Sequence, residues 1–463
     1  MRVHTPRESF LWLKAVWDHR RSLRMSRRQL EANQLARFRR LAAFAGKHSP
    51  YYRKIIADRG IDLRTCVPAD FPVLTKAEVI EHFDEIVTDR RLTHERVSEF
   101  LAKSADPEEL LDGRWHVLHT SGTSGSICSF VFSHEAWIRG ASHVVSASPL
   151  RLRRRIAFVA ATRGHFAGVS LMLAGNDGTN RLFYDVRPFD IGRPMPKIVE
   201  ALNRFQPHAL TGYAMALKAL GEAQERGDLR IKPMELGNGG EHLLPEVKDY
   251  LERVFQAPVR NGYASSEHLY MAMTLPRAEG LHLLEDELIF ELRPDHTCVT
   301  NLFNDLMPLI RYRMDDVLVV ETAGESPYPF TRVKDVIGRR EEDIVFTNEH
   351  GRDDFIHPIV IVELVIQGLS GWQIVLESKT SFRFRARFER GLTSEQKERT
   401  WALIERKLGD ILSEKEMRNV QFTIEPVDSL PIDQRTGKFC LVTRDREWRA
   451  SEAPRQESEY LHV

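Results

Sequence analysis

Between about residues 154 and 262, short apolar runs alternate with stretches of helical periodicity. A strand-length run followed by a helix-length amphipathic stretch and then another run is the pattern of βαβ units, which build a parallel sheet with helices on its faces. Arg155-Ile156-Ala157-Phe158-Val159-Ala160 reads as a buried strand, followed by a loop with Gly164 and Gly168 and an apolar helix through Leu173. Pro196 and Pro245 stand where a first helical turn tolerates a missing N–H, ahead of Ile198–Phe205 and Val247–Phe255. Ala209-Leu210-Thr211-Gly212, Met234-Glu235-Leu236 and Pro258-Val259-Arg260 read as further strands.

On either side the texture changes. Arg20, Arg21, Arg24, Arg27, Arg28, Arg37, Arg39 and Arg40 are interleaved with Leu30, Leu35, Phe38, Leu41 and Phe44, the pattern of a core-packed amphipathic helix with a solvated basic face, until Ser49-Pro50 breaks it. From about 280 the chain is β-rich, with alternation in Glu287-Leu288-Ile289-Phe290-Glu291-Leu292. A charge cluster at Gly338-Arg339-Arg340-Glu341-Glu342-Asp343 precedes a smaller α+β segment to Val442, and the tail from Arg444 is polar. At roughly 150 residues per domain, 463 residues correspond to about three domains or subdomains.

Composition narrows the function. Lys and Arg total 66 against 66 Asp and Glu, so binding to nucleic acid or an anionic membrane by bulk charge is not expected. Cys66, Cys128, Cys298 and Cys440 show no CxxC spacing and suggest neither a disulfide framework nor a zinc ribbon. Even the apolar run from Ile359 to Ile366 is short and carries Glu363. A soluble, cytoplasmic protein is expected, with no nucleic-acid or membrane partner, and its oligomeric state is not legible.

Three strings carry chemistry. His119-Thr120-Ser121-Gly122-Thr123-Ser124-Gly125-Ser126 offers glycines that let backbone approach an anion, and hydroxyl and N–H donors for phosphate oxygens, without the Gly-Lys-Ser/Thr ending of a Walker loop. Gly239-Gly240-Glu241 follows an apolar strand, and Tyr263-Ala264-Ser265-Ser266-Glu267 follows the next. Both would therefore lie at the carboxyl edge of the sheet, where open α/β folds bind ligands. The tyrosine supplies a flat face for a base, the serine a hydroxyl and the glutamate a hard oxygen for Mg2+.

Together these strings resemble the acyl-adenylate-forming superfamily, which includes acyl-CoA synthetases, luciferases and peptide-synthetase adenylation domains. Tyr263–Glu267 is similar to its Tyr-Gly-x-Thr/Ser-Glu motif, with Ala264 replacing Gly. Pro308-Leu309-Ile310-Arg311-Tyr312-Arg313-Met314-Asp315-Asp316 resembles its Pro-Leu-Ile-Arg-Tyr-Arg-Thr-x-Asp segment. Gly338-Arg339-Arg340-Glu341 resembles its Gly-Arg-x-Asp hinge, and Leu430-Pro431 with Thr436-Gly437-Lys438 its lysine-bearing ending. Within the superfamily, Ser49-Pro50-Tyr51-Tyr52, Phe71-Pro72-Val73-Leu74-Thr75-Lys76 and Gly280-Leu281-His282-Leu283-Leu284-Glu285-Asp286 resemble the phenylacetate–CoA ligase branch, and Arg163–Gly168 looks like its acyl-pocket loop.

The resemblance implies an α/β fold: a large N-terminal domain over 1–338, of parallel α/β subdomains plus a β-rich section, and a small mobile α+β domain over 339–463. It implies ATP-dependent, Mg2+-dependent conversion of a carboxylic acid, aromatic by branch analogy, to an acyl-AMP, with transfer to coenzyme A. Thr120, Ser121, Gly122, Thr123, Ser124 and Gly125 would hold phosphates, and Glu267 the Mg2+. Tyr263 would stack on adenine and Asp316 would hold the ribose, with Arg339 nearby. Gly239, Gly240, Glu241 and Ser266 join the nucleotide site. Lys438 would bridge carboxylate and α-phosphate, Glu341 would mark the hinge, and His165, Phe166 and Tyr213 would line the acyl pocket. An amine, alcohol or carrier-protein acceptor and a non-catalytic nucleotide-binding role remain open alternatives. One departure bears on rate: relatives usually carry Lys-Pro after the second glycine of the phosphate loop, and here Ser126-Ile127 follows Gly125.

Overall fold

The computed structural model describes residues 5–120, 128–147, 153–322, 326–337, 344–357, 360–361, 366, 368–431 and 441–445. The chain divides into two compact units, one gathering Met1–Thr120, Cys128–Asp190 and Ile198–Gly338, the other Ile191–Lys197 and Arg339–Val463.

The first unit opens on helices Pro6–Ser22 and Arg27–His48, each started by a capping box, Thr5 with Glu8 and Ser26 with Gln29. Where the sequence reads as a break, the chain starts another helix. Ser49 closes the second helix with its backbone and caps Pro50–Arg59 with its hydroxyl, with Pro50 in the first turn.

The strands of this unit are β1 (His116–His119), β2 (Ser129–Phe132), β3 (Arg154–Ala160), β4 (Tyr184–Asp190), β5 (Ala209–Gly212), β6 (Glu235–Gly239), β7 (Val259–Ser265), β8 (Leu269–Met273), β9 (Leu281–Leu283), β10 (Leu288–Leu292), β11 (Thr297–Asn301), β12 (Tyr312–Met314), β13 (Val317–Val320) and β14 (Arg332–Ile337). Nine form one sheet in the order β13-β14-β9-β8-β7-β6-β5-β3-β4. From β4 to β7 every pairing is parallel, and from β7 to β13 every pairing is antiparallel. The parallel half is the βαβ region read from the sequence, with helices Met195–Phe205, Ala214–Glu225 and Pro245–Phe255 between its strands. Its strands pack closely enough that a Cβ on Gly212 would lie 2.4 Å from the Val159 carbonyl oxygen.

The basic helix departs from expectation. The pattern is two helices rather than one: Arg20 and Arg21 stand in the last turn of the first, Arg24 lies in the turn between them, and Arg28 and Arg40 belong to the second, all five exposed as a solvated face requires. Arg27, however, pairs with Glu285 at 2.6 Å, Arg37 pairs with Glu287 and donates to the Asp286 carbonyl, and Arg39 donates to the carbonyls of Thr65 and Cys66. The cause is the acidic turn Glu285-Asp286-Glu287, which is buried and needs cations. Arg139 supplies another at 2.9 Å from Glu287, and Asp286 lies between His19 (2.7 Å) and His143 (3.3 Å).

In the second unit β15 (Ile344–Thr347) pairs with β16 (Asp353–Ile356), and β17 (Leu369–Ser378), β18 (Ser381–Phe388), β19 (Gln421–Pro426) and β20 (Val442–Arg444) form a sheet in the order β19-β18-β17-β20. In β18, Phe382, Phe384 and Ala386 are buried and alternate with Arg383, Arg385 and Arg387, the period of a half-buried strand. Helix Ser394–Glu414 buries Thr400, Ile404, Leu408 and Leu412, a stripe at four-residue spacing. Lys415 is fully buried, its ammonium 3.5 Å from Asp354 and donating to the Arg193 carbonyl at 3.1 Å. Among the described residues no helix is long and apolar enough to cross a membrane.

Candidate active site

The parallel strands β5, β6 and β7 end on one edge of the sheet. Gly240 and Glu241 follow β6, whereas Gly239 is the last residue of β6. Tyr263, Ala264 and Ser265, expected after the strand, are the last residues of β7, because β7 runs on past its parallel partner to pair with β8. After β6, Gly240 turns with φ +85, a conformation that favours glycine, and a Cβ there would meet the Tyr213 ring at 2.9 Å. The Glu241 carboxylate accepts from the Met215 N–H at 2.9 Å, satisfying a donor of the first turn of helix Ala214–Glu225. Asn238, which no sequence motif singles out, ties this corner together by donating to the Glu241 carbonyl at 2.8 Å and to the Asn261 side chain at 2.7 Å. Tyr213 is buried at the start of that helix, so Gly240, Glu241 and Tyr213 form one corner.

A second grouping lies across β7. The Tyr263 hydroxyl donates to the Asp316 carboxylate at 2.6 Å. Burial, reinforced by Asp316, pushes the Tyr263 hydroxyl well above its ordinary range, which keeps it a donor. Glu267 is buried at 9% exposure, and the Tyr312 hydroxyl reaches its carboxylate at 3.4 Å. Burial raises the Glu267 carboxyl above its ordinary 4.5, with the Lys76 charge among the influences that lower it.

The third grouping is at the foot of the Ser/Thr-Gly string. Thr120 is doubly bonded to Cys128, its N–H donating to the Cys128 carbonyl at 2.9 Å and its hydroxyl accepting from the Cys128 N–H at 3.1 Å. Lys76 donates to that hydroxyl at 3.3 Å. The neighbouring His119 joins two other strings, its carbonyl accepting from the Ser266 hydroxyl at 2.8 Å and its N–H donating to the His165 carbonyl at 3.0 Å. The Phe166 ring packs on His119 with centroids 4.4 Å apart. His165 is buried, hydrogen-bonded to Ser104 at 3.0 Å and packed on Phe100, and burial lowers it to about 4, so its ring is neutral at pH 7.

Thr120, Ser266, His165 and Phe166 are thus brought together around His119, Tyr263 is joined to Asp316, and Glu267 to Tyr312. Ser121, Gly122, Thr123, Ser124, Gly125, Arg339, Glu341 and Lys438 lie outside the described residues. Lys76 and Tyr312 were legible only as members of longer strings, and nothing in residue type alone marked them.

Glu267 suits a hard divalent cation: a carboxylate whose burial disfavours its charge gains most from a cation beside it.

The chain shares its α/β fold with a solved CoA ligase. In the solved structure of 2-hydroxyisobutyryl-CoA ligase with 2-HIB-AMP and CoA in the thioesterification state, 93% of each chain superposes with a TM-score of 0.60 at 19% identity. The postadenylation-state structure of that ligase with R3-HIB-AMP gives 0.58 at 18%, again over 93% of each chain. In sequence, the chain is 23% identical over 352 residues to Protein CapK of Staphylococcus aureus, covering 69% of each. No family model matches.

Proposed function

We propose that the protein is an AMP-forming acid–thiol ligase. It activates a carboxylic acid with ATP and passes the acyl group to coenzyme A. The observation that carries this reading is the convergence of three separated strings in one unit: Ser266 bonds to the residue preceding Thr120, and Tyr263 bonds to Asp316. The shared fold with a ligase solved with an acyl-AMP and CoA supports it.

In the first half-reaction a carboxylate oxygen bonds to the α-phosphorus, and the bond to the β-phosphate oxygen breaks with its electron pair leaving on pyrophosphate. Asp316 accepts from the ribose, and Tyr263 holds that carboxylate in place. Glu267 would hold Mg2+, which would supply positive charge to the phosphate oxygens. Thr120 begins the phosphate-binding string, and Lys438, on a mobile domain over 339–463, bridges carboxylate and α-phosphate. In the second half-reaction the CoA thiolate attacks the acyl carbon and AMP leaves.

We assign an aromatic acid of the phenylacetate type, on the buried aromatic rings of Phe166 and Tyr213. The neutral His165 ring adds no charge there. The test is acid-dependent ATP–pyrophosphate exchange across aryl, hydroxy and fatty acids, followed by mass spectrometry of the product with CoA. Exchange with one acid class and an acyl-CoA product are expected; ATP binding without exchange for any acid overturns the reading. Lys438→Ala should lose exchange while still forming thioester from supplied acyl-AMP.

A further inference from the structure

The string from His119 to Ser126 lacks the lysine that its relatives usually carry after the second glycine. A cation nevertheless stands at its foot, delivered from a distant part of the chain. Lys76 opens helix Lys76–Glu81, whose capping box fixes its start: the Glu78 carboxylate accepts from the Thr75 N–H at 2.7 Å and from its hydroxyl at 2.6 Å. Two residues earlier the backbone is clamped to the strand leading to Asp316. The Leu74 N–H donates to the Arg311 carbonyl at 3.1 Å, and the Arg313 N–H donates to the Leu74 carbonyl at 2.8 Å. From this clamped start the Lys76 ammonium reaches the Thr120 hydroxyl at 3.3 Å, and its charge is felt at both Glu267 and Cys128.

We propose that Lys76 binds the β- and γ-phosphates of ATP and stabilises the departing pyrophosphate, supplying from the N-terminal segment the positive charge that Ser126 does not. The inference rests on the ligase reading above. As the bond to the α-phosphorus breaks, negative charge accumulates on the β-phosphate oxygen, and a fixed ammonium beside it is worth more than a mobile counterion because it needs no reorganisation. A lysine suits this role because it is a point charge that needs no bidentate alignment. Lys76 is half-buried, which strengthens its field at the phosphates. Thr120 Oγ1, already held by the Cys128 N–H, gives the ammonium a fixed direction.

The experiment compares ATP, pyrophosphate and AMP affinities by calorimetry for the full-length wild type, Lys76→Met, Lys76→Arg and the double variant Lys76→Met/Ser126→Lys. Methionine keeps an apolar stem and removes only the charge. Lys76→Met should weaken ATP and pyrophosphate binding roughly 10-fold or more, as loss of a charge-assisted contact does, and leave AMP within about 2-fold, with arginine restoring part of the loss. Ser126→Lys should recover ATP affinity. Unchanged ATP affinity in Lys76→Met, an equal loss for AMP and ATP, or a folded double variant that recovers nothing overturns the inference. The ligase reading fails separately, if wild-type protein binds ATP but exchanges no pyrophosphate with any acid, because the comparison of ATP with AMP does not depend on acid turnover.

Discussion

The Tyr263 hydroxyl and the Asp316 carboxylate are 2.6 Å apart and join the edge of the parallel strands to the segment after β12. Tyr263→Phe keeps the ring and removes the donor, at about 1.5–3 kcal/mol for a hydrogen bond to a charged group. We expect AMP affinity to fall roughly 10-fold, since each 1.4 kcal/mol is a factor of ten, and Asp316→Asn to fall further. Calorimetry on both variants checks this, and an AMP affinity unmoved by Tyr263→Phe rejects it.

In its proposed role Glu267 must be ionised to hold Mg2+, and burial raises its carboxyl above the ordinary 4.5. Protons therefore compete with the metal at a higher pH than for an exposed glutamate. The Mg2+ concentration giving half-maximal exchange should climb as pH drops from 7 toward 5. Glu267→Gln should abolish that pH dependence and cost at least the roughly 10–100-fold that loss of even an outer-shell partner costs a metal site. A flat wild-type profile refutes the assignment.

The buried network of His19, Asp286 and His143, with Ser142, Glu287, Arg37 and Arg139 around it, sets a stability window. Burial alone would lower His19, but the charge and hydrogen bond of Asp286, helped by Glu287, raise it above 6.5 overall. Its contribution is fully present below pH 6.5 and is lost as pH rises through the raised value. Burial opposes the Asp286 charge, yet the two histidines hold it well below 3.8, so its contribution is present above pH 3.8 and is lost on strong acidification. His143, lowered by burial and by His19, stays neutral when folded and weakens the network as pH falls below 6.5. His19→Ala leaves a buried carboxylate with one partner fewer, which costs on the order of 3–5 kcal/mol. The melting-temperature gap between wild type and His19→Ala should be widest near pH 5–6 and narrow toward pH 9; a gap independent of pH contradicts this account.

Gly212 and Gly409 should respond to alanine with opposite signs. At Gly212 the added Cβ meets the Val159 backbone at 2.4 Å, so β3 and β5 must separate, at about 1–3 kcal/mol for overpacking. At Gly409, inside helix Ser394–Glu414, nothing lies within 4 Å, and alanine should stabilise by up to about 1 kcal/mol through helix propensity. Thermal unfolding of both variants decides it, and a stabilising Gly212→Ala discredits the close approach.

In the parallel half of the sheet, β3 and β5 were legible because they are largely buried on both faces, so local apolar runs mark them without knowledge of partners, whereas β4, with Arg187 and Pro188 exposed, was not read from the sequence. Ala209–Gly212 emerged with the expected bounds for that reason. The basic helix was only half legible. Arg27 and Arg37 look like solvated arginines in a periodic pattern, and what ties them down is Glu285 and Glu287, whose burial follows from tertiary packing. Ser49-Pro50 reads as an end and is also a beginning, since a residue that terminates one helix can cap the next. In the site, Tyr263, Glu267 and Asp316 were recognisable as parts of motifs, but their pairing depends on strand order. Lys76 carried no local mark beyond a capping box, because its importance comes from what lies across from it.

The Arg311 guanidinium donates to the Phe71 carbonyl, 240 residues away along the chain, at 2.7 Å, beside the clamp on Leu74. A ribosome making this protein releases the Phe71 segment long before Arg311 exists. The N-terminal arm must therefore wait without its docking strand, and closure of so long a loop carries a large entropic cost. Nascent chains arrested before Arg311 should be open to protease around Leu74 and Lys76, and chains arrested well after Met314 protected there. The proposed nucleotide site would then be among the last parts of this unit to form during synthesis.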